Sequence, residues 1–203
     1  MDMKIIKSEK RLCTCCMETH EVKTVLIHEQ ATFKDVKVKY EASYLYCDTA
    51  EELYMDEDQI QENDLRLKDA YRKAQGLLTA SEIRSIRNKY AINQSDLCML
   101  LGWGGKTITR YEGHQVQDKA HDTILRKINS DSEWFLSLLS DAKDNFARES
   151  YQKCLEAATA LYEKEQDEYL RKSIRASYAR FDGNQLLNGN TKLSLDKVVD
   201  VIR

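Results

Sequence analysis

Cys13, Cys15 and Cys16 stand within four residues near the start of a 203-residue chain, and Cys47 follows some thirty residues later. Two thiolates separated by two residues in a tight turn can both point at one ion, and Cys13-x2-Cys16 has the spacing of a structural zinc knuckle. A hairpin between positions 16 and 47 would bring Cys47 back to that knuckle as a third donor. His20 is the expected fourth donor, because Cys16-x3-His20 is short enough to fold back. Cys15 is its rival and His28 a more distant one. A Cys3His set is closed and structural, with no open position for catalysis, so one zinc ion per chain is the expected cofactor. Six cysteines in a chain that lacks an N-terminal apolar signal segment are not a disulfide framework. Cys98 falls on helical core spacing and reads as a packed residue, while Cys154 has no evident partner.

A second stretch with chemical potential is LGWGGKTITRYE, residues 101–112. Gly105-Lys106-Thr107 matches the last three positions of a phosphate-binding G-x-x-x-x-G-K-[ST] loop. That loop needs an earlier glycine where this chain has Leu100, and a preceding strand where the pattern is helical. A glycine corner between two short helices fits a helix–turn–helix better, since the second helix of such a unit lies in the major groove of DNA. With Ile108 and Tyr111 facing inward, Lys106, Thr107, Thr109 and Arg110 are left mainly outside, where Arg and Lys can read guanine or neutralise phosphate. Gln94 and Ser95, opening the preceding helix, are placed for phosphate contact. Trp103 is expected to pack under the corner, and His114 and His121 to serve surface or capping roles. No Ser-His-Asp set or paired carboxylate stands out, so the chain does not read as an enzyme.

These side chains need elements to hold them. Val36, Val38, Tyr40, Ala42, Tyr44 and Tyr46 share one parity, which predicts a half-buried strand, and VKTVLI at 22–27 is its expected partner. So small a sheet buries little apolar surface, and a metal is the usual staple. Residues 48–78 hold nine acids against four bases and read as an acidic linker that turns helical. Residues 79–128 hold eight bases against five acids, a mildly basic block in a chain of net charge −3. Thr79 and Glu82 form a capping-box pattern that opens a run of short helices. The predicted order is a β module at 1–50, the acidic helical linker at 51–78, a helical DNA-binding unit at 79–142, a helical extension at 143–181, and a linker with the start of a following, truncated domain at 182–203. The chain contains no proline, which leaves glycine to punctuate the helices. No apolar run reaches the length of a membrane span, and the N-terminus carries no signal, so a cytoplasmic protein is expected.

QSDLCMLLGWGGKTITRYEGHQVQDKAHDTILRKI resembles the Xre/Cro-type helix–turn–helix, and in particular the version found in MqsA (YgiT-type) antitoxins. The likeness covers roughly residues 11–140, because that family also sets a zinc module ahead of the helical domain. At the start of the recognition helix the family has a polar residue and, four residues on, an arginine before Tyr-Glu. Those positions are Lys106 and Arg110 here, with lysine in place of the family's asparagine. The family's second cysteine pair is broken, since Ala50 and Glu51 stand three and four residues after Cys47. The final LSLDKVVDVIR resembles the opening helix of a Panacea (SocA-like) domain. The resemblance implies an α+β, mainly α fold: a small antiparallel zinc-binding sheet, an Xre-type domain and a helical extension. It also implies a homodimeric, DNA-binding autorepressor of antitoxin type. The alternative is a protein-interaction module that binds a toxin or other partner, with the helix–turn–helix serving dimerisation.

Overall fold

The computed structural model describes residues 3–185. Four antiparallel strands come first: β1 (Met3–Leu12), β2 (Thr19–Phe33), β3 (Val36–Cys47) and β4 (Glu52–Tyr54), paired in sequence order. Seven α-helices follow among the described residues: α1 (Glu57–Ala74), α2 (Ala80–Lys89), α3 (Gln94–Leu100), α4 (Thr107–Tyr111), α5 (Lys119–Ser130), α6 (Ser132–Asp141) and α7 (Arg148–Gln185). The arrangement is thus an antiparallel sheet followed by helices, as the pattern predicts. The end of the expected linker and the LSLDKVVDVIR helix lie outside the described residues, while α7 continues through 182–185, where the linker was expected to begin.

The sheet is larger than the alternating pattern indicates. Strand β1, rich in charge, pairs along β2 with a register shift between Ile5 and Lys7. The β2–β3 turn is made by Lys34 and Asp35, with φ of 46° and 64°. Two left-handed residues suit the twist of a two-residue hairpin, although this pair lacks the usual glycine.

Strand β4 covers only Leu45–Cys47 of β3, which leaves the rest of that edge with unpaired peptide groups. Helix α1 covers them. Asn63 accepts from the Ser43 backbone N–H at 2.7 Å and donates to the Ser43 carbonyl at 2.8 Å, and Arg66 donates to the Glu41 carbonyl at 3.1 Å. Asn63 is buried, and Phe33 meets Tyr71 edge-on at 5.1 Å. Satisfying a buried or exposed sheet edge in this way removes both a desolvation penalty and an aggregation template. The stretch expected as a linker is therefore β4 plus a docked helix, opened by a capping box from Asp56 to Gln59.

The far end of α1 reaches the helical body through Arg72, whose side chain is fully buried. It donates to Asp69 at 2.7 Å, to Gln117 Oε1 at 3.0 Å, and to the Tyr111 and Gln115 carbonyls at 2.9 and 2.7 Å. Beyond it, one apolar core joins α2 to α7. Tyr90 stacks on Phe135 at 3.8 Å, surrounded by Leu97, Ile108, Leu125, Ile128 and Leu139. Cys154 and Ala158 of α7 belong to the same core, so the first turns of the expected extension are part of this body. Cys98, also buried there, accepts from the Ile108 N–H at 3.3 Å. Arg72→Met removes a paired charge and strands Asp69, Gln117 and two carbonyls. It is expected to destabilise the fold by about 3 kcal/mol or more in urea unfolding followed by circular dichroism.

Candidate functional site

Two groups of predicted residues come together in different ways. The first is the thiol cluster. Cys13 follows the end of β1, Cys16 lies in the turn after it, His20 is near the start of β2 and Cys47 ends β3. The antiparallel pairing puts Arg11 beside His20 and Cys47 beside Glu52, so the strand ends converge at one end of the sheet. The turn is tight. Cys13 N–H donates to the Glu18 carbonyl at 2.9 Å and Met17 N–H to the Cys13 carbonyl at 2.9 Å, with Met17 at φ 61°. The donor atoms of Cys13, Cys16, His20 and Cys47 all lie within 4.8 Å of one another.

The surroundings suit a bound cation. His20 Nδ1 is 2.8 Å from the Glu21 carbonyl, which fixes the ring and leaves Nε2 towards Cys47 Sγ at 3.6 Å. Such a backbone partner commonly orients a ligating imidazole. The Ala50 N–H donates to Cys47 Sγ at 3.4 Å. Cys13 is buried, which alone would raise its pKa. The neighbouring Tyr54 hydroxyl and the Cys16 and Cys15 backbone outweigh this and bring it down to about 5, favouring thiolate. Tyr54 Oη is buried with no hydrogen-bond partner of ordinary geometry, so a charged sulfur beside it is its natural counterpart. Three sulfurs and one imidazole are a donor set that zinc accepts.

Neither rival donor joins the cluster. Cys15 donates to Glu52 Oε2 at 3.4 Å, and burial together with that carboxylate raises its pKa to about 11, which keeps it a thiol. His28 is exposed and sits 4.0 Å from Glu41.

The second group surrounds α3 and α4. Helix α3 ends in a left-handed glycine, Gly102 at φ 66°, with Gly102 N–H donating to Met99 O at 3.1 Å and Trp103 N–H to Cys98 O at 2.8 Å. These two bonds are a Schellman stop, which a side chain at Gly102 would strain. Trp103 packs beneath the corner on His121, 4.1 Å between ring centroids, and His121 Nδ1 lies 2.6 Å from the Tyr111 hydroxyl. Helix α4 is shorter than the expected 105–112. It runs from Thr107 to Tyr111, and Lys106 is its N-cap. Gly113 follows, where a Cβ would come within 3.3 Å of the Thr109 carbonyl.

Lys106, Thr109 and Arg110 are exposed and Thr107 is half-buried. Among the described residues, neither Lys106 nor Arg110 has a side-chain partner. Gln94 is already engaged, which the sequence does not reveal. It accepts from the Thr109 hydroxyl at 2.9 Å and donates to Glu112 Oε2 at 2.8 Å. Ser95 is exposed and turned back onto Asn93, the N-cap of α3, at 2.8 Å. Glu112 is the residue that sequence reasoning passed over. Nearly fully buried, it accepts from Arg87 at 2.6 Å and lies 3.5 Å from Arg84. Burial pushes its carboxyl pKa up, but the bonds from Arg87 and Gln94 and the charges of Arg87 and Arg84 outweigh that, leaving it below the usual value.

No protein-family model matches the chain, and no curated protein matches its sequence. The chemistry of the two groups therefore carries the functional reading. No helix among the described residues is long and apolar enough to cross a membrane. For the thiol cluster, elemental analysis is expected to find about one metal ion per chain. Cys47→Ser and His20→Ala should lose most of it, while Cys15→Ser and His28→Ala keep it.

Proposed function

We propose that this protein is a sequence-specific, double-stranded DNA-binding regulator of antitoxin type, and that it represses its own operon as a homodimer. Helices α3 and α4 act as an Xre-type helix–turn–helix, with α4 in the major groove. The observation that carries the reading is the pair Lys106 and Arg110, exposed and four residues apart at the N-cap and last turn of α4, neither with a side-chain partner among the described residues. Unpaired cations beside short polar side chains suit guanine edges and phosphates. Thr109 and the half-buried Thr107 lie to either side of that pair, Gln94 holds Thr109 in place, and Ser95 at the start of α3 is a further candidate for phosphate contact. A dimer would put two such helices in successive major grooves, about 34–36 Å apart.

In this reading the metal is zinc, one per chain, held by Cys13, Cys16, His20 and Cys47. It supplies cross-linking of the strand ends rather than catalysis, and the protein is not an enzyme. None of the six cysteines is in a disulfide, which suits a reducing compartment and supports a cytoplasmic setting.

One observation favours a second reading, in which the sheet captures a toxin or other protein. Among the described residues no strand pairs with the outer edge of β1, and its Ile5 and Ile6 are 58% and 50% exposed, a template for strand addition. Salt separates the two. A DNA reader loses affinity steeply as salt rises, by counterion release, and discriminates between sequences.

Fluorescence anisotropy on operator DNA recovered by selection from genomic fragments tests the proposal. Arg110→Ala should lower specific affinity by roughly 1–3 kcal/mol and relax one base position. Lys106→Ala should either do likewise or reduce the salt slope by about one phosphate. Undiminished, sequence-selective binding by folded Arg110→Ala protein would overturn the assignment of α4.

A further inference from the structure

Helix α7 outruns the body it packs on. Its first turns bury Cys154 and Ala158, and Glu165 accepts from Ser132 of α6. From residue 166 to 177 every side chain is exposed except Ile174, which is half-buried. Twelve helical residues project about 18 Å at ~1.5 Å each. Isolated helices of such length are marginal in water and draw their stability from packing of one face.

The projecting segment and the turn before it have an ordered pattern. Glu163, Asp167, Arg171 and Arg175 recur every four residues, a single oblique row on the helix surface. Leu170, 49% exposed, and Ile174 form the neighbouring row. At ~100° per residue Glu163, Asp167, Leu170 and Ile174 lie within about 40° of the direction opposite Glu165, and the charged row then winds round through Arg171 to Arg175, beyond the Glu165 contact with α6. The row is acidic in its first half and basic in its second. Residues 163–168 hold four acids and one lysine, and residues 171–175 hold three bases and no acid. Glu149 with Lys153 and Glu168 with Lys172 form intrahelical pairs four residues apart at 2.8 Å. Asp167 and Arg171 have the same spacing but do not pair, and all four charges of the row lack partners among the described residues.

We infer that a second copy of this chain covers the row, the two α7 helices crossing antiparallel at the level of Tyr169. A two-fold axis there sets Asp167 against the partner's Arg171 and Glu163 against the partner's Arg175, each pair occurring twice. Leu170 and Ile174 fill the space beside them. A parallel pairing would put acid on acid and base on base. Rows of this i+4 type pack at about −50°, which limits the contact to a few turns. The interface is therefore smaller than the ~800 Å² per partner of a stable complex, so the self-association is reversible and micromolar. It requires no DNA and stands apart from the assignment of α4.

Sedimentation equilibrium on the full chain in low salt tests the inference. The wild type is expected to dimerise in the micromolar range and to weaken as salt screens the row. The double variants R171E/R175E and E163K/D167K should each lose self-association by about tenfold or more, as attraction becomes repulsion. An equimolar mixture of the two should associate, since an acidic row then meets a basic one. The fourfold exchange E163K/D167K/R171E/R175E in one chain should restore dimers, because the antiparallel match is regained. Circular dichroism checks that each variant keeps its helix content. A monomeric wild type at ~100 µM overturns the inference. So do folded double variants that dimerise like wild type, or a folded fourfold exchange that stays monomeric.

Discussion

The buried guanidinium of Arg72 is the point on which the two halves of this protein depend. A sheet that is closed by α1 and a helical body with its own core need a rigid join, and few apolar side chains are available for one. Arg72 supplies it with donors aimed at Asp69, at Gln117 and at two carbonyls, that of Tyr111 ending α4 and that of Gln115 just beyond it. A planar donor with a fixed fork suits this task better than a lysine, whose point charge cannot hold several acceptors at set angles. Gln117 then passes the connection on, donating to the Leu78 carbonyl at 2.6 Å and to Asp122 at 3.0 Å. Asp122 accepts from the Leu78 N–H at 2.8 Å. The join is a chain of satisfied polar groups, in which each member is costly to leave alone.

The sheet has its own dependence. Cys13, Val22, Leu45 and Cys47 are the small buried cluster at its end, and two of the four are thiols. Apolar burial there is slight, and the Cys3His donors stand where the strand ends would otherwise splay. Helix α1 meets the opposite need at the β3 edge, replacing a missing strand with Asn63 and Arg66. The sheet thus carries a candidate metal-donor set at one end and is closed along one edge by an amide and a guanidinium.

How much of this the sequence disclosed follows from the kind of signal each feature leaves. The knuckle and its fourth donor were legible, because Cys13, Cys16 and His20 are close in sequence and their spacing limits geometry directly. The capping box of Thr79 and Glu82 was legible for the same reason, and both bonds are present. Strand β1 was hidden by its composition, with Lys4, Lys7, Glu9, Lys10 and Arg11 among ten residues and no alternation of apolar and polar side chains to mark a buried face. The Lys34–Asp35 turn lacks the glycine that marks such hairpins. The docking of α1 left no apolar stripe, since its principal contacts are made by Asn63, Arg66 and Arg72, types usually assigned to solvent. Glu112 was missed because a carboxylate after Arg-Tyr looks like surface until Arg87 and Gln94 close over it.

The Glu112 hub has a dynamic consequence for the face it supports. Gln94 is clamped between Glu112 and the Thr109 hydroxyl, so both side chains are fixed before any ligand arrives, while Lys106 and Arg110 beside them are unanchored. Ordering rotamer-rich side chains opposes association by about 0.5–1.5 kcal/mol each. On this face that entropy has been lost in folding for the short polar groups and kept for the two long cations. On the proposed reading of α4, a rigid template bordered by flexible charges would admit a partner of fixed shape while tolerating small offsets in the spacing of its anions.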